Sequence, residues 1–434
     1  MAVQRSMLQR ITVVLSVLAC VATTGCKKRE APTGPAPVNV DSPFDDSREE
    51  LDTSRMRAAP EAWTELTHLA LGELFACGVA SEQVYCWGSG RFGELGRGEE
   101  ELQRLLPAGP LEGLRPVLEL SANRGFVCAL ERGGTVSCWG NNVHGQLGDG
   151  STVNRFQPVR VKGVTTAVQV TTGYQHACAL NRDGSIVCWG ENEAGQLGRE
   201  GGGMFPEPQR VHGVGHAKML AAGRATTCAL LTNGRVECWG ANSDGALGRG
   251  VPPEVLEGSA RPGFVEKLAN ARDISGYAEH FCAATEEGYA YCWGDKTMPS
   301  ARALRLRERR IAANLPVEPL PEIGVIQRVE GIDNVENVAV GMGFSCARQE
   351  SGHVYCWGAN KYAQHGSGSQ NDRKDPTPMA GVIGAKLLVA GARNTCVLAR
   401  DGRMLCSGAN RNGEIGNGGT ATALTPTPVQ RPPQ

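Results

Sequence analysis

From Cys178 to Gly190 the chain reads Cys-Ala-Leu-Asn-Arg-Asp-Gly-Ser-Ile-Val-Cys-Trp-Gly, two short apolar runs about a polar turn. Such runs, joined through a glycine, predict a β-hairpin. The turn suits three residues, Arg182-Asp183-Gly184: a type I turn, then a left-handed residue where glycine has no Cβ to clash. Counting outward sets Cys178 opposite Cys188. Directly opposed residues of an antiparallel pair lie about 4.5–5.5 Å apart at Cα, within reach of a disulfide. The side-chain period of two places Cys178, Leu180, Ile186 and Cys188 on one face, and Ala179, Val187 and Trp189 on the other. Both faces are apolar, so the hairpin is expected to be buried on both sides, as a sheet stacked between two others.

The unit occurs seven times, with cysteine pairs Cys77/Cys86, Cys128/Cys138, Cys178/Cys188, Cys228/Cys238, Cys282/Cys292, Cys346/Cys356 and Cys396/Cys406. A unit so repeated organises the whole chain. Trp-Gly follows every second cysteine except Cys406, where Ser407-Gly408 stands. Gly134, Gly184, Gly234, Gly288, Gly352 and Gly402 each lie four positions before the second cysteine. The first unit is one residue shorter and suits a two-residue loop at Ser81-Glu82. A glycine also stands five residues before the first cysteine at Gly72, Gly173, Gly223, Gly341 and Gly391; Asn123 fills that slot in the second unit, and Gly276 comes one place early in the fifth.

After Trp-Gly comes a second recurring piece, Gly140-Asn-Asn-Val-His-Gly-Gln-Leu-Gly148, then Gly190-Glu-Asn-Glu-Ala-Gly-Gln-Leu-Gly198, with related versions at Gly240–Gly248 and Gly408–Gly416. In these pieces, joined to the hairpins, the chain resembles the regulator-of-chromosome-condensation repeat family, whose units of about fifty residues carry a dG-x-v-x-x-WG-x-N-x-x-GQLG signature. The resemblance covers residues 63–430. It implies an all-β fold, a seven-bladed β-propeller, here with one hairpin disulfide per blade. Pro-x-Val-like strands such as Pro158-Val159-Arg160-Val161 precede each unit, and the chain ends in one, Thr425-Pro-Thr-Pro-Val429, with no unit behind it. The first unit begins late, near Trp63. These ends predict closure: the C-terminal strand completes the blade that the N-terminal strands start, leaving no free sheet edge.

The fifth unit breaks the pattern. In place of the Asn-x-x-Gly-Gln-Leu-Gly piece, residues 295–315 form a basic insertion carrying Arg302, Arg305, Arg307, Arg309 and Arg310, for which a short helix and a partner contact are expected. A solvated loop is the plainer reading, since insertions in repeat folds map to loops.

Composition changes the picture at the N-terminus. Arg5 and Arg10 precede an apolar run, Ile11 to Ala22, too short to span a membrane. Thr23-Thr24-Gly25-Cys26 resembles a bacterial lipobox, with Thr23 where that pattern prefers Leu; Val17-Leu18-Ala19-Cys20 is a rival with a shorter apolar core. The reading is a signal peptide at 1–25, lipid attachment at Cys26 and a polar, Pro-containing tether to residue 62. Lys27 in place of Asp after the cysteine points to the outer membrane, if diderm sorting applies. Cys20 and Cys26 apart, the remaining fourteen of sixteen cysteines fall in the seven pairs, which suits an oxidising compartment.

Candidate chemistry is sparse. Gly88-Ser-Gly90-Arg-Phe-Gly93 matches G-x-G-x-x-G but opens no βαβ unit, and is read as a repeat turn. The eight histidines are scattered; His176 and His280, two before their cysteines, are expected to pack or hydrogen-bond. No catalytic, cofactor or metal residues are assigned. Formal net charge is −1, or −3 once residues 1–25 are removed, which gives no global case for nucleic acid.

The expected function is therefore that of a non-enzymatic, lipid-anchored, exported scaffold. It is expected to be a monomer that binds a protein on a propeller face and a membrane through Cys26. Resemblance in fold and secretion to propeller-type β-lactamase inhibitory proteins suggests enzyme inhibition as one form of that binding. The alternatives are a glycan- or cell-wall-binding propeller and guanine-nucleotide exchange, the activity of the family's eukaryotic namesake. Export and disulfides disfavour exchange, because no GTP pool is expected there.

Overall fold

The computed structural model describes residues 62–98, 102–251, 255–294 and 325–433. The signal segment, Cys20, Cys26, the tether up to residue 61 and the five insertion arginines lie outside the described residues. Seven four-stranded antiparallel sheets, each contiguous in the chain, form a seven-bladed propeller. In the third blade the strands are Ala167–Thr172, His176–Asn181, Ile186–Glu191 and Met204–Arg210.

The hairpin register is the one the sequence implies. Cys178 pairs with Cys188 and Leu180 with Ile186. Asn181 and Ser185 close the three-residue loop (Asn181 N–H to Ser185 O, 2.8 Å), and Gly184 takes φ +81°. In the first blade Ala80 pairs with Gln83, and both loop residues, Ser81 and Glu82, are left-handed.

All seven expected disulfides form, one per blade: Cys77–Cys86, Cys128–Cys138, Cys178–Cys188, Cys228–Cys238, Cys282–Cys292, Cys346–Cys356 and Cys396–Cys406. In each pair the first cysteine stands on the second strand of its blade and the second on the third strand, directly opposite. Their Cα separations, 4.0–4.1 Å, are shorter than expected. The reason is register. Asn181 and Ser185 are hydrogen-bonded across the hairpin, and pairs alternate, so Cys178 and Cys188, three pairs further out, fall in the closer, non-hydrogen-bonded kind. The third-strand cysteines Cys86, Cys138, Cys238 and Cys356 are as inaccessible as their partners, at 2% exposure or less.

The core lies between blades. Cys178, Leu180, Ile186 and Cys188 pack with Ala229, Leu231 and Trp239 of the fourth blade. Ala179 and Trp189 pack with Phe126, Cys128, Leu130 and Cys138 of the second. The two faces inferred from period-2 alternation therefore serve different neighbours.

Closure differs from expectation. The Pro-containing strands are the outermost strands of the preceding blades: Arg155–Arg160 pairs with Val136–Gly140, the third strand of the second blade. The final strand, Ala423–Pro428, likewise completes the last blade rather than the first. The ring closes instead through a short bridge, Ala62 with Gln430, and the Trp63 N–H donated to Val429 O at 3.0 Å. A local pattern marks a strand but does not say which of two flanking hairpins it joins.

Candidate binding face

Strand direction sorts the connections onto two ends. The turns between strands one and two share an end with the connections between strands three and four, here called the loop face. The tight hairpin turns lie on the other end.

The recurring Asn-x-x-Gly-Gln-Leu-Gly piece builds the loop face. Asn192, 1% exposed, accepts from Leu197 N–H at 3.0 Å and donates to Arg199 O and Gly201 O. Asn142, Asn242, Asn360 and Asn410 use the same pattern, each accepting from the backbone N–H five residues on. The Gln side chain accepts from the N–H two residues earlier, as in Gln196 with Ala194 at 3.0 Å. Its carbonyl then accepts the indole N–H of the next blade: Trp189 to Gln146 O at 2.8 Å and Trp239 to Gln196 O at 3.0 Å. Trp87 to Glu414 O at 2.9 Å carries this staple across the closing seam. The loops are thus fixed by buried hydrogen bonds, leaving their outward side chains free to vary. Trp357, preceded by the blade with the insertion, is the most exposed of the six at 8%.

The inner turns close round the axis. A Cβ at Gly72 would sit 2.1 Å from the Phe75 ring, one at Gly173 2.1 Å from the His176 ring, and one at Gly341 2.0 Å from the Phe344 ring. Glycine is needed because the aromatic side chain three residues on folds over it. Asn123, which takes this slot in the second blade, donates to Thr172 O of the next blade at 2.9 Å. Backbone bonds link neighbouring turns, Arg224 N–H to Ala278 O at 2.6 Å and Tyr174 N–H to Arg224 O at 3.3 Å.

On this ring stand Glu73, Arg124, Tyr174, Arg224, Glu279 and Arg393. Arg124 and Arg393 both reach Glu73, at 3.6 and 3.9 Å, and Arg224 reaches Glu279 at 3.4 Å. Tyr277, from the fifth blade, packs edge-on against Tyr174 of the third, centroids 5.8 Å apart. It is 3% exposed, and its hydroxyl is buried with no hydrogen-bond partner. Burial raises its pKa well above the ordinary phenol value.

Beside the ring a cleft of about 270 Å³ is lined by residues that include Glu73, Phe92, Glu94, Arg124, His144 and Tyr174. Glu94 takes the Gln slot of the first blade and accepts from Phe92 N–H at 2.6 Å. Burial pushes its pKa up to about 7. A broader hollow of about 520 Å³ at the closing seam includes Arg97, Arg104, Leu105, Gly418 and Pro433. Of the ten exposed large apolar residues among those described, seven (Phe92, Leu102, Val143, Val153, Met204, Val255 and Leu424) lie in or at the end of strand three-to-four connections. The apolar exposure therefore concentrates on the loop face.

The remaining candidates take structural roles. None of the paired cysteines lines either hollow; Cys86, Cys138, Cys238 and Cys356, like their partners, sit in the packing between blades. His176 is fully buried, with Nε2 2.9 Å from Thr227 Oγ1. His280 Nε2 lies 2.9 Å from Ser345 Oγ and 3.3 Å from Cys282 Sγ. His280, Cys282 and Cys292 have metal-like spacing, but the two sulfurs are bonded to each other and offer no thiolate. Gly88 and Gly93 are left-handed turn residues, φ +97° and +95°, and among the described residues only a one-turn 3-10 segment, Ser243–Gly245, is helical. No described helix is long and apolar enough to cross a membrane.

Models of the regulator of chromosome condensation (RCC1) repeat match residues 133–180 and 183–230, and 117–146, 167–196, 220–246, 271–297, 335–364 and 386–414. The chain belongs to the RCC1-repeat family. Among related proteins, it is 34% identical to the ultraviolet-B receptor UVR8 of Arabidopsis thaliana over 98 residues, 20% of this chain and 22% of the receptor. It is 33% identical to human E3 ubiquitin-protein ligase HERC2 over 97 residues, 21% of this chain and 2% of the ligase. The matches thus span only a minor part of either relative. Among solved structures, Prp20p of Saccharomyces cerevisiae, described with its binding to Gsp1p and histones, superposes with a TM-score of 0.67 at 21% identity, over 80% of this chain and 86% of that one. Human WBSCR16 gives 0.65 at 18%, over 78% and 88%. At these identities the likeness is one of fold. The RCC1-repeat propeller is a binding scaffold rather than a catalytic fold, and seven disulfides suit an oxidising, non-cytosolic location.

Proposed function

We propose that this chain is an exported, lipid-anchored scaffold that docks a protein partner on its loop face. The observation that carries the reading is the concentration of exposed apolar side chains on the loop-face connections, most of them held by a buried asparagine and the first, with Phe92, by Glu94. Exposed apolar groups on a preorganised, charge-bearing surface are the composition of a protein interface. The lipobox-like Thr23-Thr24-Gly25-Cys26 supports anchoring through Cys26, and Lys27 supports the outer membrane if diderm sorting applies. The basic segment carrying Arg302, Arg305, Arg307, Arg309 and Arg310 is proposed as an added contact. Enzyme inhibition is one outcome of such docking.

The glycan reading draws less support: the axial acids Glu73 and Glu279 are already engaged by arginines. Guanine-nucleotide exchange draws little from a chain stapled by disulfides. The test is affinity capture on the purified, oxidised chain from envelope and secreted fractions, read by mass spectrometry. A stoichiometric protein supports the reading; polysaccharide or peptidoglycan retained without protein overturns it.

A further inference from the structure

We infer that the axial ring is a receptor for a carboxylate-bearing segment of the partner, seated between Arg124 and Arg224 and hydrogen-bonded by the Tyr277 hydroxyl. The inference rests on the protein-docking reading and specifies the partner's chemistry.

Among the described residues the ring positions themselves carry three arginines and two glutamates, one positive charge in excess, with Glu94 lining the adjoining cleft. Glu73 is divided between two arginines at 3.6 and 3.9 Å, too long for a good charge-assisted hydrogen bond to either. Arg224 meets Glu279 at 3.4 Å. The side chains of Arg124 and Arg224 are 58% and 62% exposed, so their remaining N–H groups reach solvent. Both guanidinium groups lie near the Tyr174 ring, at 5.8 and 6.0 Å from its centroid, so the two flank one aromatic side chain.

Tyr277 is the independent observation. It occupies a slot that is glycine in five of the seven blades, and it packs against the same Tyr174 ring. A buried hydroxyl with no partner is costly and uncommon. Glu73, Arg393 and Arg124 all lie within electrostatic reach of it, so as a donor it adds a hydrogen bond for an anion held by the arginines, which explains a polar tip where phenylalanine would pack equally well. A carboxylate accepts from guanidinium and phenol donors together.

The test uses the oxidised chain and a fluorescein-labelled hexaglutamate peptide, with hexalysine as the control, by anisotropy. Hexaglutamate is expected to bind and hexalysine not, with affinity falling as salt rises. Arg124→Gln and Arg224→Gln should each weaken binding about tenfold, the lower end for a charge-assisted hydrogen bond. Tyr277→Phe should weaken it about threefold to tenfold while leaving the melting temperature unchanged or higher. All three variants remove groups outside the packing core or without a partner, so folding is checked by melting alone. Unchanged binding in both arginine variants, or equal binding of hexalysine, overturns the inference. Failure here with a partner still captured from cell fractions removes the carboxylate receptor and leaves the scaffold standing; failure of capture removes the scaffold itself.

Discussion

The indole staple makes a prediction with an internal control. Trp189 and Trp239 are both fully buried, and each donates its N–H to a carbonyl of the preceding blade. Trp→Phe at either site removes the same atoms, so the loss of packing and the small void are alike. The acceptors differ. Gln196 O also receives Thr227 Oγ1 at 2.9 Å, whereas among the described residues Trp189 is the only donor reaching Gln146 O. Trp239→Phe therefore costs the packing term and one shared bond, about 2 kcal/mol in all. Trp189→Phe also strands a buried carbonyl, which adds about 1 kcal/mol or more. Urea unfolding of the two variants beside the parent, with equal m-values, reads the difference directly. Equal losses, or a larger loss at Trp239, would refute the staple as an energetic element and reduce it to packing.

The other predictions concern covalent, electrostatic and surface features. Replacing Cys178 and Cys188 together by Ala should cost about 3 kcal/mol, from the loop of about eleven residues that the bridge closes; thiol titration of the unreduced, denatured mature chain should find no free thiol among the seven pairs. Burial pushes Glu119 up to about 8. A raised carboxyl pKa favours the fold below about pH 4.5, and that contribution is lost as pH climbs toward 8, so Glu119→Gln should raise the melting temperature at pH 8 and leave it nearly unchanged at pH 4. His176, held down to about 3 by burial, works in the opposite sense: stability falls as pH drops below about 6.5, and melting between pH 6 and 4 should show it. Charge reversal across Arg302, Arg305, Arg307, Arg309 and Arg310 should leave melting unchanged and alter partner capture, and a large loss of stability would make the insertion structural.

The hairpins were legible because their determinants are local. Glycine in the left-handed turn position, cysteines equidistant from it and a two-residue side-chain period fix register within about ten residues. Blade number followed from counting. Which blade owns the fourth strand was not legible: Pro158-Val159 sits between two hairpins, and only three-dimensional packing chooses the earlier one. The axial ring was hidden for the same reason. Glu73, Arg124, Tyr174, Arg224 and Arg393 come from five different blades, and no spacing joins them. A signal was present nonetheless. In a register where flanking positions mostly hold Gly, an aromatic and Cys, the slot four before the first cysteine changes from Glu73 to Arg124 to Tyr174 to Arg224, so the repeat pattern does not fix it. Tyr277 carried a second signal, the glycine displaced to Gly276, which the register showed without its consequence.

The most direct test of docking on the loop face is a comparison of three chains in the same capture experiment. The first is the parent; the second carries Phe92→Glu and Val143→Glu on the loop face; the third carries Leu118→Glu and Ile383→Glu, exposed at the opposite end. The account predicts one protein held stoichiometrically by the parent and by the opposite-face variant, and lost from the loop-face variant at unchanged melting temperature. Retention by the loop-face variant with loss from the opposite-face variant would contradict it and move the binding surface to the hairpin end.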